Sequence, residues 1–154
     1  MDPLTAIGLA SSIVQFVDFS TKLIHGAREI YDSVSGETEE NRSLEAVVSE
    51  MERLSSKLLS PNNPQQTEDE RALCRLAAEC NILSDQILGL LEKIKPKDAK
   101  SKRQSAWAAV KNKLHEREKL ELEKRLENCR SQLELQLNFL TRFHTLSSLT
   151  YAEQ

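Results

Sequence analysis

Apolar residues recur every three or four positions along four long stretches of the chain, which is the period of an amphipathic α-helix. The first stretch predicts a helix over residues 3–33, opened by Pro3 and ended near Gly36, a residue suited to a left-handed cap. The second predicts a helix over residues 37–59. Its narrow apolar stripe consists of Leu44, Val47, Met51, Leu54 and Leu58.

Two further long helices follow a loop at residues 60–64, which contains two prolines. Thr67 and Glu70 have the spacing of a capping box, so the third helix is predicted from this point to about Ile94. Its stripe consists of Leu73, Leu76, Cys80, Leu83, Ile87, Leu90 and Ile94. A short amphipathic piece then carries Trp107, Val110 and Leu114. The last helix is predicted from about Glu116 to Leu146, with a buried stripe of Leu122, Leu126, Cys129, Leu133, Leu137 and Leu140.

The composition favours an all-α fold. Four glycines and four prolines among 154 residues are too few for a sandwich, a barrel or a Rossmann fold, which need turn residues more often. We therefore predict a single domain over residues 1–154: an antiparallel bundle of four to five long helices with an apolar N-terminal helix. An extended coiled-coil dimer is the alternative, because the stripes of three helices are heptad-like.

No pattern of catalytic or metal-binding residues is evident. The glycines are scattered, no phosphate-binding loop occurs, and the three histidines are far apart with none in an HExxH motif. Cys74, Cys80 and Cys129 occupy stripe positions or their neighbours, which indicates packing thiols rather than nucleophiles. We predict a protein that is not an enzyme and has neither a cofactor nor a metal site.

The most informative segment is residues 3–17, which contain no charged side chain although 29% of the chain is charged. In one interpretation this helix is central and buried nearly all round. In the other, the neutral face lets the helix leave the bundle and enter a bilayer, although about 22 Å of helix falls short of a ~30 Å hydrocarbon core. The candidate membrane-insertion residues are Leu4, Ile7, Leu9, Ile13, Val14, Phe16 and Val17.

A second candidate site is the basic connector, defined as residues 93–113, which has eight basic side chains and one acidic side chain. Such a cluster beside a Trp suits the surface of an anionic membrane. The candidate lipid-binding residues are Lys97, Lys100, Lys102, Arg103 and Trp107. The alternative is a solvated loop with Trp107 covering the end of the core. Nucleic acid is a poor partner, since the net charge is −3 and only one Trp is present.

Several motifs resemble one family over almost the whole chain. They are Met-Asp-Pro-Leu-Thr-Ala-Ile-Gly-Leu-Ala at residues 1–10, Val-Gln-Phe-Val-Asp-Phe at 14–19 and Leu-Ala-Ala-Glu-Cys-Asn at 76–81. Residues 83–91 and a distal set also match; that set is Trp107, Lys111, Leu114, Leu122, Arg125, Leu126, Arg130 and Leu133. This pattern resembles the fungal N-terminal domains of STAND (NOD-like) receptors, the HeLo-like family, related in kind to the four-helix domain of the mixed-lineage kinase-like pseudokinase.

The resemblance implies a membrane-targeting, oligomerising domain that executes or triggers regulated cell death in fungal innate immunity or incompatibility. Its implied partners are further copies of itself, anionic membrane lipids and an upstream receptor or regulator. Its implied location is the cytoplasm, with recruitment to the plasma membrane on activation. The alternative function is a non-lytic helical interaction or oligomerisation module that precedes an NTPase or a repeat protein.

Overall fold

The computed structural model describes residues 3–29, 44–59, 66–94 and 114–152. These residues form four α-helices: α1 (Pro3–Glu29), α2 (Leu44–Ser56), α3 (Glu68–Ile94) and α4 (Glu116–Ala152). The described part of the chain contains no β-strand, so the predicted all-α class is confirmed.

The helices form a bundle in which α1 and α3 each pack against the other three. Polar pairs show that α4 runs antiparallel to α1, because Arg130 contacts Asp18 while Glu123, earlier on α4, contacts His25, later on α1. The α3–α4 pair is also antiparallel, since the end of α3 and the start of α4 line the same groove. The predicted antiparallel bundle with an apolar first helix is therefore confirmed.

The core is aliphatic and draws on all four helices. Its most deeply buried large side chains are Ile13, Phe16, Leu23, Ile24, Val47, Met51, Leu58, Leu73, Leu83, Ile87, Leu91 and Leu126. On α3, Leu91 is buried and the predicted Leu90 only half-buried, because the inward face drifts by one position near the end of this long helix. On α4, Leu133 is the last buried residue of the stripe with a described side chain. Leu137 is 38% exposed, so its predicted burial is wrong.

Local signals explain the helix ends that the structure describes. Glu70 N–H donates to Thr67 Oγ1 at 3.3 Å and Thr67 N–H donates to Glu70 Oε2 at 2.9 Å, which is the predicted capping box. Helix α2 ends at Ser56 rather than at the predicted Leu59. After Ser56, the backbone N–H groups of Lys57 and Leu58 donate hydrogen bonds to carbonyls three residues earlier, which makes a tighter turn than an α-helix. The last helix extends six residues beyond the predicted Leu146.

Some sequence predictions lie outside the described residues. They are the end of the first helix at residues 30–33, the turn near Gly36, the start of the second helix at residues 37–43, the loop at 60–64, and the connector from residue 95 onward with its short helix, except Leu114. Leu114 itself is half-buried and packs against the core.

Candidate functional site

The first helix has one face packed in the bundle and one uncharged face exposed. The exposed α1 face, as defined here, consists of Leu4, Ile7, Gly8, Ser11, Val14 and Gln15. These residues recur at intervals of three and four, so they share one side of the first four turns. The interpretation in which this helix is buried nearly all round is therefore not what the structure shows.

The seven candidate membrane-insertion residues divide between the two faces. Leu9, Ile13, Phe16 and Val17 are buried in the core, with Ile13 and Phe16 fully inaccessible. Leu4, Ile7 and Val14 are 80%, 64% and 42% exposed. Ile7 and Val14 therefore lie among the small neutral residues of the exposed α1 face rather than with the four buried side chains.

The apolar stretch in α1 is longer than the uncharged segment alone. Residues Leu4–His25 form a helix long and apolar enough to cross a membrane, with a mean hydropathy of 1.3 and one-third of the span buried in the bundle. Its 22 residues extend about 33 Å, which matches a hydrocarbon core of ~30 Å. The core helix of a protein that never meets a membrane can also have this composition. The two charged side chains in the span, Asp18 and Lys22, lie one turn apart near its C-terminal end.

The contact between α1 and α4, here called the α1–α4 seam, changes from charged to uncharged along its length. Arg130 Nη2 donates to Asp18 Oδ1 at 3.3 Å, and His25 Nδ1 lies 3.4 Å from Glu123 Oε1. The two pairs are separated by seven residues on each helix, so they fix one antiparallel register. Continued by seven more residues on each helix, this register brings position 137 of α4 level with position 11 of α1. Residues 4–17 of α1 and 135–141 of α4 carry no charge, so this end of the seam is neutral and partly apolar.

Two hydroxyl groups interrupt the core under α1 and α3. Ser20 Oγ and Ser84 Oγ are fully buried, and neither has a hydrogen-bond partner among the described residues. A buried hydroxyl group without a partner costs roughly 1–3 kcal/mol of stability. These two hydroxyl groups therefore lower the stability of the bundle.

The structure also brings together two thiols that the sequence analysis had treated separately. Cys80 on α3 and Cys129 on α4 are both buried in the core where α3 packs against α4, and their thiols are neighbours there. The interaction with Cys129 and burial raise the pKa of the Cys80 thiol, whereas the interaction with Cys80 lowers the pKa of Cys129. The expectation that both residues pack in the core is confirmed. No sequence motif signals their pairing, because it depends on the α3–α4 register.

The candidate lipid-binding residues Lys97, Lys100, Lys102, Arg103 and Trp107 lie outside the described residues, so their role stays a prediction. Among the residues with described side chains, no three His, Cys, Asp or Glu side chains converge on a site that could hold a metal ion. The absence of an enzymatic activity also stays a prediction.

Comparison with protein-family models, with curated proteins and with solved structures gave no significant match for this chain.

Proposed function

We propose that this domain targets anionic membranes and permeabilises them as an oligomer, with α1 as the element that enters the bilayer. The observation that carries this proposal is the exposed α1 face, which combines large apolar side chains at 80% and 64% exposure with the absence of any charge. A helix that only covers a soluble bundle normally carries charged residues on its solvent side. The HeLo-like resemblance of the sequence supports the same function.

The energetics favour entry of α1 into lipid over its release into water. In the bundle, α1 buries Ile13, Phe16, Leu23 and Ile24 almost completely. Exposing each of these side chains to water would cost roughly 1.5–3 kcal/mol. A bilayer would keep them in an apolar environment and would add Leu4 and Ile7, which contact solvent in the bundle. Two costs oppose this entry: the core faces of α2, α3 and α4 lose the cover of α1, and the span carries Asp18 and Lys22, which lie toward one end in an (i, i+4) arrangement.

A dye-release assay with vesicles of phosphatidylcholine and phosphatidylserine tests the proposal. Ile7→Asp introduces a charge on the exposed α1 face, where no core contact is lost. Ile82→Asp is the matched control, because Ile82 is 50% exposed on α3 and lies outside α1. We expect leakage with the unmodified protein and with Ile82→Asp, and at least tenfold less with Ile7→Asp at an unchanged melting temperature. Equal leakage by the two variants would refute a role for this face.

A protein-interaction module is the second candidate function, and a different surface favours it. Leu135 and Phe139 are 57% and 59% exposed and lie one turn apart on the outer side of α4. Large apolar side chains that are adjacent and exposed are typical of protein contacts. Absence of leakage at every lipid composition, together with self-association abolished by Leu135→Asp, would favour this function over the first.

A further inference from the structure

We propose that Cys129 and Cys80 form a peroxide-sensitive thiol pair, in which Cys129 is oxidised first and Cys80 then closes a disulfide between α3 and α4. This inference is independent of the proposed membrane function. It depends on three features of the α3–α4 interface: the proximity of the two thiols, a groove that reaches one of them, and the charged groups beside that groove.

The first feature is the pairing of the thiols. The two side chains are 0% and 2% exposed and lie in the same core cluster where α3 packs against α4, which makes their thiols neighbours. Direct sulfur contact is the requirement for exchange between two cysteines, since the second thiol must attack the first sulfur. Both thiols are free in this structure.

The second feature is access for a small oxidant. A surface groove of about 490 Å³ lies between the N-terminal half of α3 and the middle of α4, and Cys129 forms part of its lining. Cys80 is not among the residues that line this groove. The geometry therefore gives the two sulfurs different roles, with Cys129 approached from solvent and Cys80 reached only through Cys129.

The third feature is the electrostatic environment of the groove. Arg125 lies one turn before Cys129 on α4 and lines the same groove. Its guanidinium donates to Glu79 Oε1 at 2.6 Å and to Gln86 Oε1 at 2.7 Å, which holds it in place against α3. The interaction with Cys80 and the nearby positive charge of Arg125 lower the pKa of Cys129, while burial and the Glu79 carboxylate oppose this shift. A thiolate, rather than a thiol, is the species that reacts with peroxide.

The chemistry balances with hydrogen peroxide as the oxidant. The Cys129 thiolate attacks one peroxide oxygen, an S–O bond forms, the O–O bond breaks, and hydroxide leaves with a proton as water. The Cys80 thiol then attacks the sulfur of the resulting sulfenic acid, the S–O bond breaks, and a second water leaves with the Cys80 proton. Two thiols are oxidised to one disulfide, and one peroxide is reduced to two waters.

The test treats the reduced full-length protein with hydrogen peroxide, blocks remaining thiols under denaturing conditions, and maps the peptides by mass spectrometry. We expect a Cys80–Cys129 disulfide as the first product while Cys74 remains a free thiol. The melting temperature should rise by about 5–10 °C, because the bond closes a long loop. Oxidation of Cys74 before the pair, or loss of the two thiols only after unfolding in urea, would overturn the proposal.

Variants separate the two roles. With Cys80→Ala, Cys129 should accumulate a sulfenic acid that reacts with dimedone, because no resolving thiol is present. With Cys129→Ala, peroxide should leave Cys80 unmodified, and Cys74→Ala should behave like the unmodified protein.

Alkylation of Cys129 by iodoacetamide should reach its half-maximal rate at a lower pH in the native protein than in the urea-unfolded chain. A half-maximal rate at the same pH in both would contradict the assignment of Cys129 as the attacking thiolate.

Discussion

Arg130 on α4 donates a hydrogen bond to Asp18 on α1 at 3.3 Å, and this pair marks where the α1–α4 seam changes character. On one side, the next pair along the seam joins His25 and Glu123. On the other side, residues 4–17 of α1 carry no charge, and on α4 no charged side chain lies between Glu134 and Arg142. The two polar pairs therefore set the register of α1, while apolar contacts hold the remainder of the helix.

The pair itself should contribute little to stability, because Arg130 and Asp18 are 38% and 59% exposed. A double-mutant cycle with Asp18→Asn, Arg130→Gln and the double variant should give a coupling energy of about 0.2–1 kcal/mol in urea unfolding. The value should fall when salt is raised, since exposed charges are screened. A coupling above 2 kcal/mol, or one that is insensitive to salt, would show that the pair is a dominant element of α1 docking.

The capping box at the start of α3 permits a local prediction. Thr67→Ala removes the acceptor for Glu70 N–H and should destabilise the protein by about 1 kcal/mol. Asp69→Ala is the control in the same turn, since it removes a favourable charge but not the cap, and it should cost less. Thermal or urea unfolding measures both. Equal effects of the two substitutions would mean that the cap makes no contribution beyond helix-terminal charge.

These cases show which parts of the fold can be predicted from sequence. The capping box of α3 depends on residues three apart, so its spacing was sufficient. The exposure of Leu137 was not predictable, because a helical stripe does not record where the neighbouring helices end. The sequence identified residues 3–17 of α1 as uncharged, but only packing decides that Ile7 faces solvent. The proximity of Cys80 and Cys129 depends on the α3–α4 register, which no local pattern encodes.

The buried hydroxyl groups of Ser20 and Ser84 lead to an expected gain in stability. Ser20→Ala and Ser84→Ala should each stabilise the bundle by about 1 kcal/mol or more, because each removes a buried polar group without a described partner. Ser12→Ala is the control for helix propensity, since its hydroxyl donates to Gly8 O at 2.9 Å on the outer part of α1. A larger gain from Ser12→Ala than from either buried position would contradict this account.

Substitution by Asp should have very different effects on stability at two adjacent positions of α1. Ile13→Asp buries a charge at a side chain with 0% exposure and should abolish cooperative unfolding or lower the melting temperature sharply. Val14→Asp, at 42% exposure, should retain the helical circular-dichroism signal with a change of roughly 1 kcal/mol or less. Ile13→Asp is therefore unsuitable for membrane assays, whereas Val14→Asp is informative. Similar losses at both positions would show that the exposed α1 face is misassigned.

Removal of α1 tests whether its release and self-association are coupled. Since α1 packs against α2, α3 and α4, a variant lacking residues 1–35 should expose the core faces of those helices to solvent. The uncovered side chains would include Val47, Leu73, Leu76, Leu126 and Leu133, all of them buried in the intact bundle. An apolar surface of this extent is rarely tolerated by a monomer. Light scattering should therefore report oligomers or aggregates for the shortened chain, whereas the full chain should be mostly a monomer or a weak dimer.

A well-behaved monomer without residues 1–35 would mean that α1 is peripheral to the core. Its entry into a membrane would then provide no driving force for assembly.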